Sequence, residues 1–251
     1  MVRQRLEHDR PANRMRQASR ETALSAIFEE TSVLLLDFDG PVTYLMANGV
    51  DIAIADAMRD GIRSAGADVP ESVAGVRDPL ALLRDEQIQA VPALAELVEA
   101  ICLECEIQAA RRSEMTPGVE DVLRACKSAG RRVAIVSNNS QRCIETFLSR
   151  FAILEIVESI SARPFGRSDL MKPNPYLIHV AVGNLGVQAR DGVLVGDSIT
   201  DLAAARAAGC GFVAFGKNPN RYAEFKSADA DVIVTQMDEM AEAVGGGWRS
   251  S

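Results

Sequence analysis

Residues 33–40 read Val-Leu-Leu-Leu-Asp-Phe-Asp-Gly, so a short unbroken apolar run ends in two carboxylates. A continuous apolar run of this length is typical of a strand buried on both faces, as in a parallel sheet. Because side chains two residues apart in a strand point to the same face, Asp37 and Asp39 are expected to lie together. Like charges in that position repel each other, and a cation or a bound reactant would relieve the repulsion.

Similar short apolar runs recur later in the chain, at residues 133–136, 192–195, 211–215 and 232–234. Helical patterns separate them. One apolar helical face spans 119–129 and is closed by Gly130, and an alanine-rich segment from Asp201 ends at Gly209. Glycine is favoured where a helix ends. Strands that alternate with helices predict an α/β fold with a mostly parallel sheet flanked by helices.

The segment between the first strand and the rest of the sheet has no strong strand signal. Apolar residues recur there at helical spacing, which predicts a small helical cap. We therefore expect four parts. They are a loose N-terminal extension (1–20), an α/β core (21–46 and 113–244), a helical cap domain (47–112) and a flexible tail (245–251).

Composition excludes several classes of protein. The formal net charge of −8 disfavours binding to nucleic acid through its phosphates. No apolar run approaches the roughly 20 residues of a membrane helix. Five cysteines, an odd number in a long chain, favour reduced thiols. The arginine-rich N-terminus lacks the apolar segment of a secretory signal. We therefore expect a cytoplasmic protein, and nothing in the sequence indicates its oligomeric state.

Polar groups follow other strand-like runs as well. Ser137-Asn138-Asn139 follows the second run, and Asp197 follows the third. Lys172, one of only four lysines (Lys127, Lys172, Lys217 and Lys226), precedes a proline. Taken singly, these are an ordinary helix N-cap, a capped helix start and a surface lysine. In open α/β sheets, however, ligands bind beyond the carboxyl ends of the strands.

In this order and context the motifs resemble the haloacid dehalogenase superfamily of hydrolases, over residues 33–209. The closest pattern is that of phosphoglycolate-phosphatase-like enzymes, which have a Rossmannoid core and a helical C1-type cap. The resemblance implies that Asp37 is the nucleophile that forms an aspartyl-phosphate. It also implies that Asp39 is the general acid and base.

The resemblance assigns the remaining roles in the same way. Ser137 corresponds to the phosphate-binding hydroxyl, and Lys172 to the lysine that neutralises nucleophile and phosphate. Asp197 corresponds to a Mg²⁺ ligand, and Asp201 to a nearby acidic position that supports the metal or the lysine. Asp37 and the backbone carbonyl of Asp39 would complete the metal site. The implied activity is Mg²⁺-dependent hydrolysis of a small phosphate ester.

Three features depart from the family pattern or narrow it. Pro41 replaces the usual threonine after the motif glycine, although Thr43 is nearby. The insert has no lysine between Val42 and Arg124, which argues against phosphonate cleavage through a Schiff base. The dehalogenases of the superfamily lack the second aspartate of the motif, so Asp39 argues against dehalogenation.

Substrate contacts are expected from the cap and the strand ends. Arg77 in a cap loop could hold a second anionic group, and a solvated arginine is an equally good interpretation. Asn138 and Arg163 lie near strand ends. Cys102 and Cys105 form a CxxC pair on an apolar helical stripe, which favours buried structural thiols.

Two other functions fit the same residues. One is a phosphomutase of this fold, similar to beta-phosphoglucomutase, in which Asp37 would move a phosphoryl group between sugar hydroxyls. The other is a non-catalytic binding protein that retains the fold. The complete set of carboxylates together with Ser137 and Lys172 favours an enzyme.

Overall fold

The computed structural model describes the backbone of residues 11–245 and the side chains of residues 21–244. These residues contain a six-stranded, fully parallel sheet with the spatial order β3-β2-β1-β4-β5-β6. The strands are β1 (Val33–Leu36), β2 (Arg132–Ser140), β3 (Ser159–Arg163), β4 (Gly192–Gly196), β5 (Gly211–Phe215) and β6 (Ile233–Val234). The prediction of a mostly parallel α/β fold is confirmed.

Strand β1 lies in the middle of the sheet between β2 and β4. Its last residue, Leu36, is in register with Ile135 of β2 and Val195 of β4. The next backbone N–H, that of Asp37, donates to the carbonyl of Val195 over 2.9 Å. The polar residues that follow these three strands therefore emerge side by side at one edge of the sheet.

Helices cover both faces of the sheet. They are α1 (Pro11–Glu30), α2 (Val50–Ser64), α3 (Pro79–Arg84), α4 (Glu86–Gln89), α5 (Pro92–Ala110), α6 (Val119–Ser128), α7 (Gln141–Arg150), α8 (Tyr176–Asn184), α9 (Ile199–Ala208), α10 (Pro219–Ser227) and α11 (Asp238–Gly245). Alternate side chains of β1 enter different clusters: Leu34 and Leu36 join one, Val33 and Leu35 the other. This explains why the whole strand is apolar.

Strand β3 is the one strand of the described residues that the apolar runs do not predict. Its sequence is Ser-Ile-Ser-Ala-Arg, and its two serines and Arg163 are the buried residues. Strand β2 also continues to Ser140, past the expected end at Val136, with an irregular register over that extension. Residues 137–139 therefore belong to a distorted strand end.

The first described helix begins within the segment 1–20 that was expected to be a loose extension. Because α1 starts at Pro11, a favoured residue for a first helical position, residues 11–20 are helical and not part of a loose extension. Further along, Leu24 and Phe28 of this helix are buried in the core. The first ten residues of the expected extension, and residues 246–251 of the expected tail, lie outside the described part of the chain.

Helices α2 to α5 occupy the segment expected to be a cap. They enclose a hydrophobic cluster separate from the two sheet clusters, which includes Ile54, Met58 and Cys102. Cys102 is fully buried and Cys105 partly buried, and burial raises the pKa of both thiols. Both are free. Within residues 11–245, no helix combines the length and the apolar character needed to cross a membrane.

A buried ion cluster joins α5 to the sheet. Arg163 Nε donates to Glu99 Oε1 over 2.8 Å, and Arg163 Nη1 to Glu106 Oε1 over 2.9 Å. All three side chains are almost inaccessible to solvent. Glu106 also accepts hydrogen bonds from Asn139 Nδ2 and the backbone N–H of Ser140. The guanidinium of Arg163, a residue expected near the substrate, is thus held by both glutamates.

Removing one charge from this cluster should destabilise the fold. We expect Glu106→Gln to lower the free energy of unfolding by about 3–5 kcal/mol, as is typical when one member of a buried ion pair is lost. Chemical denaturation measures the change. Glu120→Gln, which disrupts an exposed pair with Arg124, serves as the control and should have no measurable effect. Equal effects of the two substitutions would contradict this account.

Candidate active site

All of the residues expected to form the site line one cavity of about 400 Å³. They are Asp37, Asp39, Arg77, Ser137, Asn138, Lys172, Asp197 and Asp201. Most of them lie at or just after the carboxyl ends of the neighbouring strands β2, β1 and β4, while Arg77 precedes α3 in the segment expected to be the cap. The sheet order thus gathers residues that are up to 164 positions apart in the chain, from Asp37 to Asp201.

Lys172 is the buried cation of this cavity. Its Nζ lies 2.7 Å from Asp37 Oδ1 and 2.6 Å from Asp201 Oδ1, and it donates to the carbonyl of Val136 over 3.0 Å. Burial alone disfavours an ammonium ion, but Asp201 and Asp37 together raise the pKa of Lys172 above its usual range. Lys172 is therefore charged and is held against the expected nucleophile.

Asp201 is both a helix cap and the partner of Lys172. Its Oδ2 accepts hydrogen bonds from the backbone N–H of Ser198 (3.0 Å) and from the Ser198 hydroxyl (2.6 Å), in a capping box at the start of α9. Its Oδ1 faces Lys172. Asp201 therefore caps α9 and pairs with Lys172 at the same time.

The carboxylate of Asp197 packs directly against Gly40. A Cβ atom at position 40 would lie 2.3 Å from the Asp197 Cγ, and the Gly40 φ of +124° is one that other residues rarely adopt. This close approach explains the glycine of the Asp37–Gly40 motif. Asp197 Oδ2 also lies 2.6 Å from Lys217 Nζ, a contact that no motif in the sequence predicts.

Three of the carboxylates form a group suited to a cation. Asp37, Asp197 and Asp201 are all buried and each offers an oxygen within 4.8 Å of the others. Burial together with the neighbouring carboxylate of Asp201 raises the pKa of Asp37 to about 8, in spite of Lys172. Negative charge is therefore in excess. Because Mg²⁺ prefers oxygen ligands and would compensate this charge, the donor set fits it.

Asp39 lies beside this group. Its Oδ1 accepts a hydrogen bond from the backbone N–H of Met46 over 3.3 Å. Burial, and then the charge of Asp197, raise its pKa to about 7. A carboxyl group with a pKa near neutrality can both donate and accept a proton at neutral pH, which is what an acid–base catalyst requires.

The backbone N–H groups of Asn139 and Ser140, just before α7, are already bonded within the protein. The backbone N–H of Asn139 donates to Ser137 Oγ over 3.2 Å, and that of Ser140 donates to Glu106 Oε2 over 2.9 Å. A carboxylate of the protein therefore already occupies the start of α7. The Ser137 hydroxyl lines the cavity and donates to Asn139 Oδ1 over 3.1 Å.

Asn138 holds Lys172 in place. The sequence leads us to expect a substrate contact from Asn138, whereas its amide bonds to the backbone of Lys172 in both directions. Asn138 Oδ1 accepts from the Lys172 N–H over 2.7 Å, and Nδ2 donates to the Lys172 carbonyl over 3.1 Å. Arg84 of the cap donates to the same carbonyl over 3.1 Å.

Arg77 lies at the mouth of the cavity with a largely exposed side chain, 3.7 Å from Asp51. Its loop is fixed from below by the buried guanidinium of Arg59, which donates to the carbonyls of Val73 and Val76. Arg77 thus sits on a loop held by two hydrogen bonds, and its side chain is mostly exposed apart from the contact with Asp51. Arg221 of α10 also lines the cavity, a position that none of the sequence motifs predicts.

Thr43 does not replace the threonine missing at Pro41. Its hydroxyl donates to the carbonyl of Glu114 over 2.7 Å, and its own carbonyl accepts from the Gly40 N–H over 2.6 Å. Thr43 is fully buried. It therefore shapes the turn after Asp39 and presents no group to the cavity.

A group of three carboxylates and a buried lysine lie beyond the carboxyl edge of this parallel sheet. This is the class of α/β protein that binds its ligand at the strand ends, and the charges suit a phosphate group. The family model for haloacid dehalogenase-like hydrolases matches residues 31–209, more than half of the chain. The chain therefore belongs to that family.

Individual relatives are similar over shorter stretches. Phosphoglycolate phosphatase of Nitrosococcus oceani is 27% identical over 133 residues, 52% of this chain and 57% of the relative. The plasmid-encoded phosphoglycolate phosphatase of Cupriavidus necator is 40% identical over 100 residues, 39% of this chain and 42% of the relative. The chain spans about half the length of the curated relatives it matches.

Among solved structures, CbbY from Rhodobacter sphaeroides in complex with xylulose-(1,5)-bisphosphate has the same fold. The TM-score is 0.62 at 20% sequence identity, and the match covers 83% of this chain and 96% of the other. At that identity the likeness concerns the fold alone.

The raised pKa of Asp39 predicts how the stability of the metal-free protein depends on pH. Its ordinary value is 3.8 and its value in the folded chain is about 7, so the folded state binds more protons between these limits. Stability from this group is present below the lower value and is lost as pH rises through the higher one. In the presence of a chelator, the thermal unfolding midpoint of the wild type should therefore decrease as the pH is raised from 5 to 8. The midpoint of Asp39→Asn should decrease less over the same range. Parallel profiles would contradict the assignment.

Proposed function

We propose that this protein is a Mg²⁺-dependent phosphatase that hydrolyses a small phosphorylated metabolite through an aspartyl-phosphate on Asp37. One observation carries the proposal. The ammonium of Lys172 is buried between Asp37 and Asp201, and Asp37 and Asp197 open onto the same cavity. Family membership and the similarity to phosphoglycolate phosphatases support it.

Charge explains why these groups belong together. A phosphate monoester dianion repels a carboxylate nucleophile, so positive charge must surround both. Lys172 supplies part of it. Asp37, Asp197 and the backbone carbonyl of Asp39 would hold Mg²⁺, with Asp201 supporting the site through Lys172. The ion, when bound, would neutralise the phosphoryl oxygens and the nucleophile.

In the first step, a carboxylate oxygen of Asp37 attacks phosphorus and a bond forms between them. The bond between phosphorus and the ester oxygen breaks, and the leaving oxygen takes the proton of Asp39. The Ser137 hydroxyl, which lines the cavity, would bind a phosphoryl oxygen. The product alcohol leaves, and the phosphoryl group remains on Asp37.

In the second step, Asp39, now ionised, takes a proton from a water molecule. The water oxygen attacks phosphorus, and the bond between phosphorus and Asp37 breaks. Inorganic phosphate leaves, Asp37 is a carboxylate again and Asp39 is protonated. Because the pKa of Asp39 is about 7, the same group serves in both directions near neutral pH.

The cap suggests which phosphate esters fit. Phosphoglycolate carries a carboxylate besides its phosphate, and xylulose-(1,5)-bisphosphate, bound in the related fold, carries a second phosphate. Arg77 lines the cavity, and its side chain is largely exposed to solvent. A substrate of this kind would place its second anionic group against Arg77.

The catalytic part of the proposal predicts that Asp37→Asn abolishes phosphate release from a generic aryl phosphate in the presence of Mg²⁺, since an amide is a very poor nucleophile. A colorimetric phosphate assay measures the release, and EDTA should stop the wild-type reaction. Asp60→Asn, at an exposed cap position, is the control and should retain activity. Undiminished release by Asp37→Asn would refute the nucleophile. With a sugar phosphate as the substrate, transfer of the phosphoryl group between sugar hydroxyls without release of phosphate would indicate a mutase.

The substrate part predicts a selective effect of Arg77→Met. The catalytic efficiency, kcat/KM, should fall roughly tenfold for phosphoglycolate, because a charge-assisted contact is lost. It should stay near wild type for an aryl phosphate without a second anion. Arg63→Met, at another exposed cap arginine outside the cavity, is the matched control. A loss of equal size on both substrates would argue against a contact with the second anion.

A further inference from the structure

We propose that Lys217 is a built-in competitor for the divalent cation at Asp197, so that it weakens metal binding and must move aside when the metal enters. This inference rests on the cation site of the proposed function. It concerns a residue that follows β5 and belongs to none of the motifs that predict the site.

The contact itself is short and specific. Lys217 Nζ lies 2.6 Å from Asp197 Oδ2 and 4.8 Å from the centre of the Tyr44 ring. Because β4 and β5 are neighbouring strands, the residues that follow them are brought together by the sheet. The Tyr44 ring faces the ammonium favourably, so Lys217 is guided to Asp197.

Asp197 has little room to satisfy two cations. Its carboxylate is buried, and both of its oxygens pack against the backbone at Gly40. One of these oxygens is already bonded to Lys217. A divalent cation bound to Asp197 would lie within a few ångströms of the ammonium, where charges of the same sign repel strongly.

The two lysines of the site differ in their freedom. Lys172 is 2% exposed, bridges two carboxylates and also bonds to a backbone carbonyl, so it is fixed. The Lys217 side chain is 26% exposed, and Asp197 is the one carboxylate that it pairs with among the described residues. Lys217 is therefore the cation that can retreat to solvent.

Competition by Lys217 predicts the direction in which the metal affinity changes when its charge is removed. If Lys217 only supported the shape of Asp197, its loss would weaken metal binding. If it competes, removing its charge strengthens metal binding, because the incoming cation no longer displaces an ion pair or meets its repulsion. The direction of the change in affinity therefore separates the two roles.

The experiment is calorimetric titration of Mg²⁺ into the EDTA-treated full chain, at one pH and ionic strength. Lys217→Met keeps the apolar stem and removes the charge, and it should lower the dissociation constant roughly tenfold, since charges at this separation interact strongly. Lys217→Arg keeps the charge and should stay near wild type. Lys226→Met, at an exposed position of α10, is the control for net charge and should also stay near wild type.

An unchanged or weaker affinity in Lys217→Met would overturn the inference while leaving the cation site intact. Lys217→Gln replaces this variant if it does not fold. Absence of Mg²⁺ binding to every form of the protein would instead refute the cation site, and the inference with it. Tighter binding in Lys226→Met of the same size would show a long-range effect of net charge and overturn competition at Asp197.

Discussion

The buried ammonium of Lys172, shared between Asp37 and Asp201, is the contact on which the site depends. An isolated charge in this position would be strongly destabilising, and only close pairing makes it acceptable. Its two partners follow β1 and begin α9, and the lysine precedes α8. One ion triad therefore fixes three segments relative to each other. Asn138 and Arg84 hold the Lys172 backbone, which shows that both core and cap contribute to its position.

The same features explain what the sequence could predict. Strands such as β1 are buried on both faces and read as apolar runs, and residues 33–40 place two carboxylates directly after one. The apolar runs thus predicted that Asp37 and Asp197 follow strands, whereas Lys172 was assigned only through the resemblance to a known family. Strand β3 was not predicted because its buried residues are Ser159, Ser161 and Arg163, whose polar groups are not expected in a buried strand. The Lys217 contact was missed because its partner precedes it by 20 residues, and nothing local marks the pairing.

Glu106 changes the interpretation of the phosphate loop. The segment at the end of β2 contains Ser137, the hydroxyl expected to bind phosphate. Close to it, Glu106 of α5 already accepts hydrogen bonds from the backbone N–H of Ser140 and from Asn139 Nδ2. The negative end of this cap side chain stabilises α7 as an anion would. A bound phosphate is then left with Ser137 and the cations of the cavity. Since α5 also carries Glu99, the cap helix and the phosphate loop share one buried ion cluster through Arg163.

Charge balance ties these observations together. The carboxylates of Asp37, Asp39, Asp197 and Asp201 line the cavity. Two ammonium groups face them, Lys172 inside the cavity and Lys217 beside Asp197, so a divalent cation matches the remaining negative charge. The raised pKa values of Asp37 and Asp39 express the same excess in the metal-free chain. The two ammonium groups differ in their surroundings, because Lys172 is fully buried whereas the Lys217 side chain is 26% exposed. In our proposal, the fixed cation stays with Asp37 and Asp201 throughout, and the displaceable one releases an oxygen of Asp197 when a metal arrives.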